Sequence, residues 1–175
     1  LNKCSLNFLS NFLNSDLYIV FGSGYIKGEL VDFLVENKAI NIHIGVSPYY
    51  RGTDCNFWAL YDNNPHLVGA TIHLLSKGLD NGSIIYHAMS NLKSNHFDYT
   101  MSTVKSAFHS IADRIEDNSI FEIEPVIQDE SKEIRYSKKS EFNDKIVKNY
   151  FEKKIDLKSK KFDISLLKNP YFFDE

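Results

Sequence analysis

The chain has 175 residues, of which 43% are hydrophobic and 25% charged, and its formal net charge is −3. This length favours one domain with a short appendage, and the composition excludes a disordered chain. Every apolar run is interrupted before the roughly 18 residues that a membrane span needs. Cys4 and Cys55 form no Cys-x-x-Cys pair, which excludes a disulfide scaffold and a cysteine zinc site and is typical of a reducing cytoplasm.

Charge is distributed unevenly along the chain. Residues 1–131 carry 8 basic and 15 acidic groups, a net charge of −7, whereas residues 132–175 carry 12 basic and 8 acidic groups, a net charge of +4. An acidic main body disfavours nucleic acid as a partner, because phosphates are bound mainly by Lys and Arg. We interpret the basic tail as a solvated charged face, with an anion contact as the alternative.

Apolar periodicity predicts alternating helices and strands. In chain order, the predicted elements are a helix over 6–13, a strand over 17–21, a helix over 28–36, a strand over 39–43, a helix over 55–61, strands over 68–75 and 83–88, and helices over 99–117 and 141–154. This alternation predicts an α/β fold with a largely parallel sheet and flanking helices. The strands over 68–75 and 83–88 have a short linker, so a local antiparallel pair is the alternative for them.

The glycine turn after the first strand does not match a dinucleotide fingerprint. Gly22 and Gly24 fit the pattern, but Lys27 stands where the third glycine is required, and no acidic residue follows near 40–43. A simple turn between strand and helix is one interpretation, and a backbone that holds a ligand ring is the other. The sequence also lacks a Walker loop and an H-E-x-x-H helix, and its six histidines are scattered, so no metal is expected.

An amide, an imidazole and a carboxylate form the candidate catalytic group. Asn41 and His43 alternate along an apolar strand, so they share one face and require hydrogen bonds or an exposed strand end. Asp80 lies in a turn that reaches His43 if the strand ends are neighbours. These groups suit acyl transfer to an amine, because the amide binds a developing oxyanion while the imidazole and carboxylate handle a proton. A structural histidine and an ordinary Asp-Asn-Gly turn are the alternative.

Five ordered motifs resemble the formyltransferases that use 10-formyltetrahydrofolate. They are Asn41-Ile42-His43, Pro48-Tyr49-Tyr50-Arg51-Gly52, Gly69-Ala70-Thr71-Ile72-His73, Leu79-Asp80-Asn81-Gly82 and, with one insertion, Pro125-Val126-Ile127-Gln128-Asp129-Glu130-Ser131. The match runs from about residue 16 to residue 136. The resemblance implies a partial Rossmann-like catalytic domain over 1–136 and a helical or extended tail over 137–175.

The resemblance also implies roles for individual residues. Asn41, His43 and Asp80 are the expected catalytic residues of a one-carbon transferase. The expected folate contacts are Phe21, Gly22, Ser23, Gly24, Tyr25, Ser76, Lys77, Gly78 and Leu79. Ile44 and Gly45 stand where the family often has Pro-Ser, which leaves the catalytic residues intact but changes the lip of the pocket.

The chain begins with Leu1 rather than Met, and its first residues lead us to expect no targeting signal. The resembling family has further strands, one of them central, before the segment that matches Asp16. A sheet without its central strand exposes apolar edges. We therefore expect an N-terminally truncated domain, either a fragment or a chain that another chain completes, with a homodimer left open.

The acceptor amine is expected on a nucleotide-linked amino sugar. About forty residues follow Tyr136, too few for the further domain of methionyl-tRNA formyltransferases, and an acidic body disfavours tRNA. The expected substrate contacts are Tyr49, Tyr50, Arg51, Trp58 and His73. The aromatic residues Tyr49, Tyr50, Phe57 and Trp58 form either a wall that stacks on a base or the core of a helix. A tRNA-formylating enzyme, a hydrolase that passes the formyl group to water and an inactive fragment are the alternatives.

Overall fold

The computed structural model describes residue 2, residues 5–158 and residues 163–173. Cys4 lies outside these residues. Within them, the helices are α1 (Leu6–Leu9), α2 (Glu29–Glu36), α3 (Cys55–Tyr61), α4 (His96–Glu116) and α5 (Asp144–Glu152). The strands are β1 (Ile19–Phe21), β2 (Ile40–His43), β3 (Tyr50–Gly52), β4 (Ala70–Leu74), β5 (Ile84–Ser90), β6 (Arg135–Ser137) and β7 (Tyr171–Phe173).

The main sheet has the strand order β1-β2-β4-β5-β7. β1 pairs with β2 in parallel and β5 pairs with β7 in parallel, whereas β2–β4 and β4–β5 are antiparallel. The sheet is therefore mixed, and the prediction of an α/β sheet with flanking helices is confirmed. The antiparallel alternative is the arrangement found for β4 and β5, since their short connection leaves no room for a crossover helix.

Small hydroxyl side chains let α4 lie close to the sheet. The helix begins at Asn95, whose side chain accepts a hydrogen bond from the Asp98 N–H. On the buried face, Ser106 donates to the Met89 carbonyl at 2.7 Å, and the Ser102 and Ser90 hydroxyls are 2.7 Å apart. These bonds satisfy the polar atoms that the close packing buries.

A second, two-stranded sheet lies beside the predicted site. β3 and β6 run parallel, and Tyr50 is paired with Arg135 although 84 positions separate them. This sheet and α3 share a core cluster that contains Tyr50 and Trp58. The pairing fixes the backbone of residues 50–52, which forms one wall of the site described below.

The C-terminal segment packs on the domain through β7 and through His87. The His87 ring accepts a hydrogen bond from the Lys168 N–H at 2.8 Å and donates to the Ser47 carbonyl at 2.8 Å. The buried imidazole thereby joins the tail to the loop before β3. No helix in the described residues combines the length and the apolar character needed to cross a bilayer.

Candidate active site

Strand β2 presents the predicted amide and imidazole on one face of the sheet. Ile40 and Ile42 belong to a core cluster with Ile72, and the alternating positions 41 and 43 face the other way. Asn41 is partly buried and His43 is 6% exposed. Both residues line one cavity at the edge of the sheet.

His73 fixes the orientation of the Asn41 amide. The pKa of His73 is lowered to about 4, first by burial, so the ring is neutral at neutral pH. Its Nδ1 lies 2.8 Å from the Leu74 carbonyl, which can only accept, so Nδ1 carries the proton. The bare Nε2 then accepts from Nδ2 of Asn41 at 3.0 Å. The Asn41 NH2 group retains its second hydrogen for a ligand.

The two ring nitrogens of His43 have different partners. Nε2 lies 3.1 Å from the Tyr50 carbonyl and therefore holds a proton. Nδ1 faces Oδ2 of Asp80 at 3.5 Å. Gly45 is needed beside this ring, because a Cβ at that position would lie 2.6 Å from Nε2. Nδ1 is thus the ring nitrogen that faces the Asp80 carboxylate.

Asp80 reaches His43 by a route that differs from the expected one. β2 and β4 are antiparallel, and Leu74 at the end of β4 pairs with Ile40 at the start of β2, so the ends of the two strands are not neighbours. The loop after β4 instead folds back. It places Oδ2 of Asp80 near His43 and 3.3 Å from the Gly52 N–H, which donates to it. The predicted proximity is present, and the loop produces it.

The cavity has a volume of about 300 Å³, at the lower end of the range for small-molecule pockets. Two loops that the resemblance assigned to folate border it. The predicted folate residues among its lining are Phe21, Gly22, Ser23, Gly24, Tyr25, Ser76, Gly78 and Leu79. Lys77 lies elsewhere, since its ammonium group pairs with Asp32 at 2.6 Å on the surface and does not line the cavity.

The structure places most of the predicted substrate contacts in the core, which is the alternative given above for the aromatic residues. Tyr50 and Trp58 are 1% and 2% exposed, and the Trp58 ring packs under the Arg135 guanidinium at 4.4 Å. Arg51 pairs with Glu133 at 3.0 Å and donates to the Leu79 carbonyl. These side chains and that of Tyr49 do not line the cavity.

His73 borders the cavity but is 1% exposed. Its ring nitrogens are bonded to Asn41 and Leu74, so it supports the amide and offers no free group to a substrate. Of the two residues that follow the His43 strand, Ile44 lines the cavity and Gly45 packs under the imidazole.

Sequence reasoning missed Thr53 and Asp54 as cavity residues. The available signal was their position just before α3, because polar residues at a helix start are often placed to make hydrogen bonds. Asp54 has a φ of 57°, a left-handed conformation in which its side chain makes no cap bond. Across the described ranges, no three His, Cys, Asp or Glu side chains converge as metal ligands would.

A sequence model of the formyl transferase family matches residues 11–115, which is more than half of the chain. The chain belongs to the formyl transferase family. The matched region contains β1, β2, β4 and β5 and the three residues Asn41, His43 and Asp80. The family match therefore covers the strands and the loop that build the cavity.

Two methionyl-tRNA formyltransferases are similar to part of this chain. The protein from Caldanaerobacter subterraneus subsp. tengcongensis is 36% identical over 73 residues, 42% of this chain and 23% of its own length. The protein from Clostridioides difficile is 30% identical over 83 residues, 47% of this chain and 26% of its own length. The match thus spans about a quarter of these relatives.

Solved structures of formyltransferases share the fold. The formyltransferase PseJ from Anoxybacillus kamchatkensis, in complex with UDP-4,6-dideoxy-4-formamido-L-AltNAc and tetrahydrofolate, has a TM-score of 0.60 and 27% identity, over 81% of this chain and 71% of that chain. A 4-N formyltransferase from Francisella tularensis has a TM-score of 0.61 and 24% identity, over 79% of this chain and 57% of that chain. The second likeness concerns the fold alone.

Proposed function

We propose that this formyl transferase moves a formyl group from 10-formyltetrahydrofolate to the primary amine of a nucleotide-linked amino sugar. The observation that carries the proposal is the convergence of Asn41, His43 and Asp80 on one cavity. An N–H donor, a proton-exchanging nitrogen and a carboxylate are the groups that acyl transfer to an amine requires.

The proposed reaction begins when the neutral amine attacks the formyl carbon and a new C–N bond forms. The carbonyl oxygen gains negative charge, which the free Asn41 N–H stabilises because the amide is already oriented by His73. The bond between the formyl carbon and N10 of the folate then breaks. The amine loses one proton and N10 gains one, and Asp80 with Nδ1 of His43 carries that proton between them.

The cavity suits a flat, polar-edged ring such as that of the folate cosubstrate. Exposed side chains stand around its mouth, with Phe21, Tyr25 and Leu79 at 46%, 50% and 41% exposure. These apolar surfaces can cover ring faces, while the backbone of the two loops can bond ring-edge donors and acceptors. The volume of about 300 Å³ fits the ring and leaves the rest of the cosubstrate outside.

The amino-sugar acceptor is favoured by two observations. The Anoxybacillus relative is bound to a formamido sugar nucleotide and tetrahydrofolate. Residues 1–131 of this chain carry 8 basic and 15 acidic groups, a charge that repels tRNA. The curated relatives named for methionyl-tRNA support the alternative acceptor. A cytoplasmic location is part of the proposal, and the buried free thiol of Cys55 is compatible with it.

The test is an assay with 10-formyltetrahydrofolate and a panel of UDP- and dTDP-linked amino sugars, read by mass spectrometry and by release of tetrahydrofolate. We expect a formamido sugar nucleotide from at least one acceptor. Formylation of methionyl-tRNA with no sugar product would replace the acceptor, and formate release at full rate without an amine would identify a hydrolase. A parallel assay of an upstream-extended chain tests the fragment alternative. Activity in the extended chain but not in the 175-residue chain would support that alternative.

A further inference from the structure

The backbone of Asp80 has an unfavourable conformation. Its φ is 51°, in the left-handed region that side chains with a Cβ rarely adopt. Such a conformation persists where the surroundings hold it. Other segments must therefore fix the loop that carries the carboxylate.

Gln128 bonds the backbone at that position and two residues after it. Its Nε2 donates to the Asp80 carbonyl at 2.9 Å and to the Gly82 carbonyl at 2.7 Å. A primary amide has two hydrogens, so each carbonyl receives one of them. The side chain is 8% exposed and does not line the catalytic cavity.

The position of the Gln128 amide is set by the main sheet. Val126 and Ile84, at the start of β5, exchange two backbone hydrogen bonds of 2.8 Å each. Gln128 follows this bridge by two residues, so its backbone is held by the sheet while its side chain contacts the loop. Arg51 supports the same loop from the other side, where it donates to the Leu79 carbonyl at 3.1 Å.

The amide of Gln128 donates two hydrogen bonds but accepts none within the part of the chain that the structure describes. Its Oε1 is buried without a hydrogen-bond partner among the described residues. An unpaired buried acceptor is destabilising, a penalty that an apolar side chain of similar size would avoid. The amide is thus better explained by its two donated bonds than by packing.

We propose that Gln128 is the positioning residue for the Asp80 carboxylate, which it holds within reach of Nδ1 of His43 by fixing the left-handed turn. The proposal rests on the proposed function, because Asp80 is assigned there to proton transfer. Gln128 contacts the backbone of the catalytic loop and acts through Asp80.

A double-mutant cycle of transfer rates tests the proposal. Gln128→Met keeps the size of the side chain and removes the donors, and we expect kcat to fall about 100-fold, as for a misplaced catalytic group, with KM for the amine little changed. Asp80→Asn combined with Gln128→Met should be no slower than Asp80→Asn alone, because both act through one carboxylate. Multiplied losses in the double variant would overturn the proposal.

Asn56→Leu is the matched control. Asn56 is 5% exposed, and its amide is bonded to Thr103 and to the Gly69 N–H, away from Asp80. This variant loses a buried amide of the same kind and should keep kcat in the folded protein. Gln128→Glu is the second variant if Gln128→Met fails to fold, since a carboxylate at this position faces two carbonyl oxygens and should lower kcat at neutral pH.

A readout without turnover separates this proposal from the proposed function. The ring 15N signals of His43, measured by NMR at one neutral pH, should change in Gln128→Met in the same direction as in Asp80→Asn. Unchanged signals in Gln128→Met would overturn the positioning role. Wild-type protein that transfers no formyl group would refute the proposed function and leave this spectroscopic comparison intact.

Discussion

Two regions that share the segment from Pro48 to Gly52 differ in how they use it. In the cavity, its backbone makes the contacts, with the Tyr50 carbonyl bonded to His43 and the Gly52 N–H bonded to Asp80. In the aromatic frame formed by Tyr50, Trp58 and Arg135, its side chains are buried. One segment therefore holds His43 and Asp80 through its main chain and packs into the core through its side chains.

This difference shows that the residues of a family motif can support a site without contacting a substrate. The Tyr50 hydroxyl accepts from Asn64 at 2.7 Å, deep in the frame, while the carbonyl of the same residue orients His43. Loss of a frame side chain should therefore lower stability, whereas loss of a cavity side chain should lower the rate. The predictions below test that division.

The largest expected effect on stability is in the frame. Trp58→Ala removes a ring that is 2% exposed and should lower the free energy of unfolding by about 3–5 kcal/mol. The kcat per folded molecule should stay near the wild-type value, because Trp58 does not line the cavity. Urea unfolding followed by circular dichroism measures the first quantity, and an assay at low temperature measures the second.

Phe151→Ala is the control, because that ring is 80% exposed and should contribute little to stability. If Trp58→Ala unfolds the protein outright, Trp58→Phe replaces it with a smaller loss. A folded Trp58 variant with a strongly raised KM for the nucleotide sugar would show that the ring belongs to the substrate site.

Two buried histidines, His73 beside the cavity and His87 under the C-terminal segment, should make stability depend on pH. The pKa values of His73 and His87 are lowered from 6.5 to about 4, mainly by burial. The unfolded chain therefore binds more protons between these values, so stability is full above about pH 6.5 and falls as pH drops towards 4. Each histidine should contribute about 3 kcal/mol to that loss.

Urea unfolding across this pH window tests the assignment. His87→Gln should roughly halve the fall in the free energy of unfolding, because one of the two groups no longer titrates. An equally steep fall in the variant would mean that His87 does not bind its proton differently in the folded and unfolded states.

The smallest effect is expected at Cys55, which lies between the two regions. Burial raises the pKa of its thiol to about 12, so it is a neutral thiol at neutral pH and no nucleophile. Cys55→Ala should cost about 1 kcal/mol of stability, as the loss of one buried atom does, and leave kcat unchanged. Loss of turnover in a folded Cys55→Ala protein would contradict this account.

The sequence predicted the elements with strong periodicity. The helix expected over 99–117 is His96–Glu116, and the strand expected over 39–43 is Ile40–His43. Asn41, His43 and Asp80 were also predicted together. Segments with a clear apolar period were sufficient to predict these elements, and the first four of the five motifs were sufficient to predict the three site residues.

The strands β3, β6 and β7 were missed for a physical reason. Each is three residues long, and β3 pairs with β6 across more than 80 residues of chain, so no local period reveals them. The sequence left two positions open for the frame side chains for the same reason. Whether the tyrosines and Trp58 face a ligand or a core depends on the β6 partner, which local sequence does not specify.

The most direct test of the account is the single-turnover rate of formyl transfer in Asp80→Asn and His43→Ala. The account predicts a loss of about 2–4 kcal/mol of transition-state stabilisation for each, a rate about 30 to 1,000 times slower, with the wild-type circular dichroism spectrum and melting temperature retained. Wild-type transfer rates to an amino-sugar acceptor in both variants would contradict the assignment of the cavity as the active site.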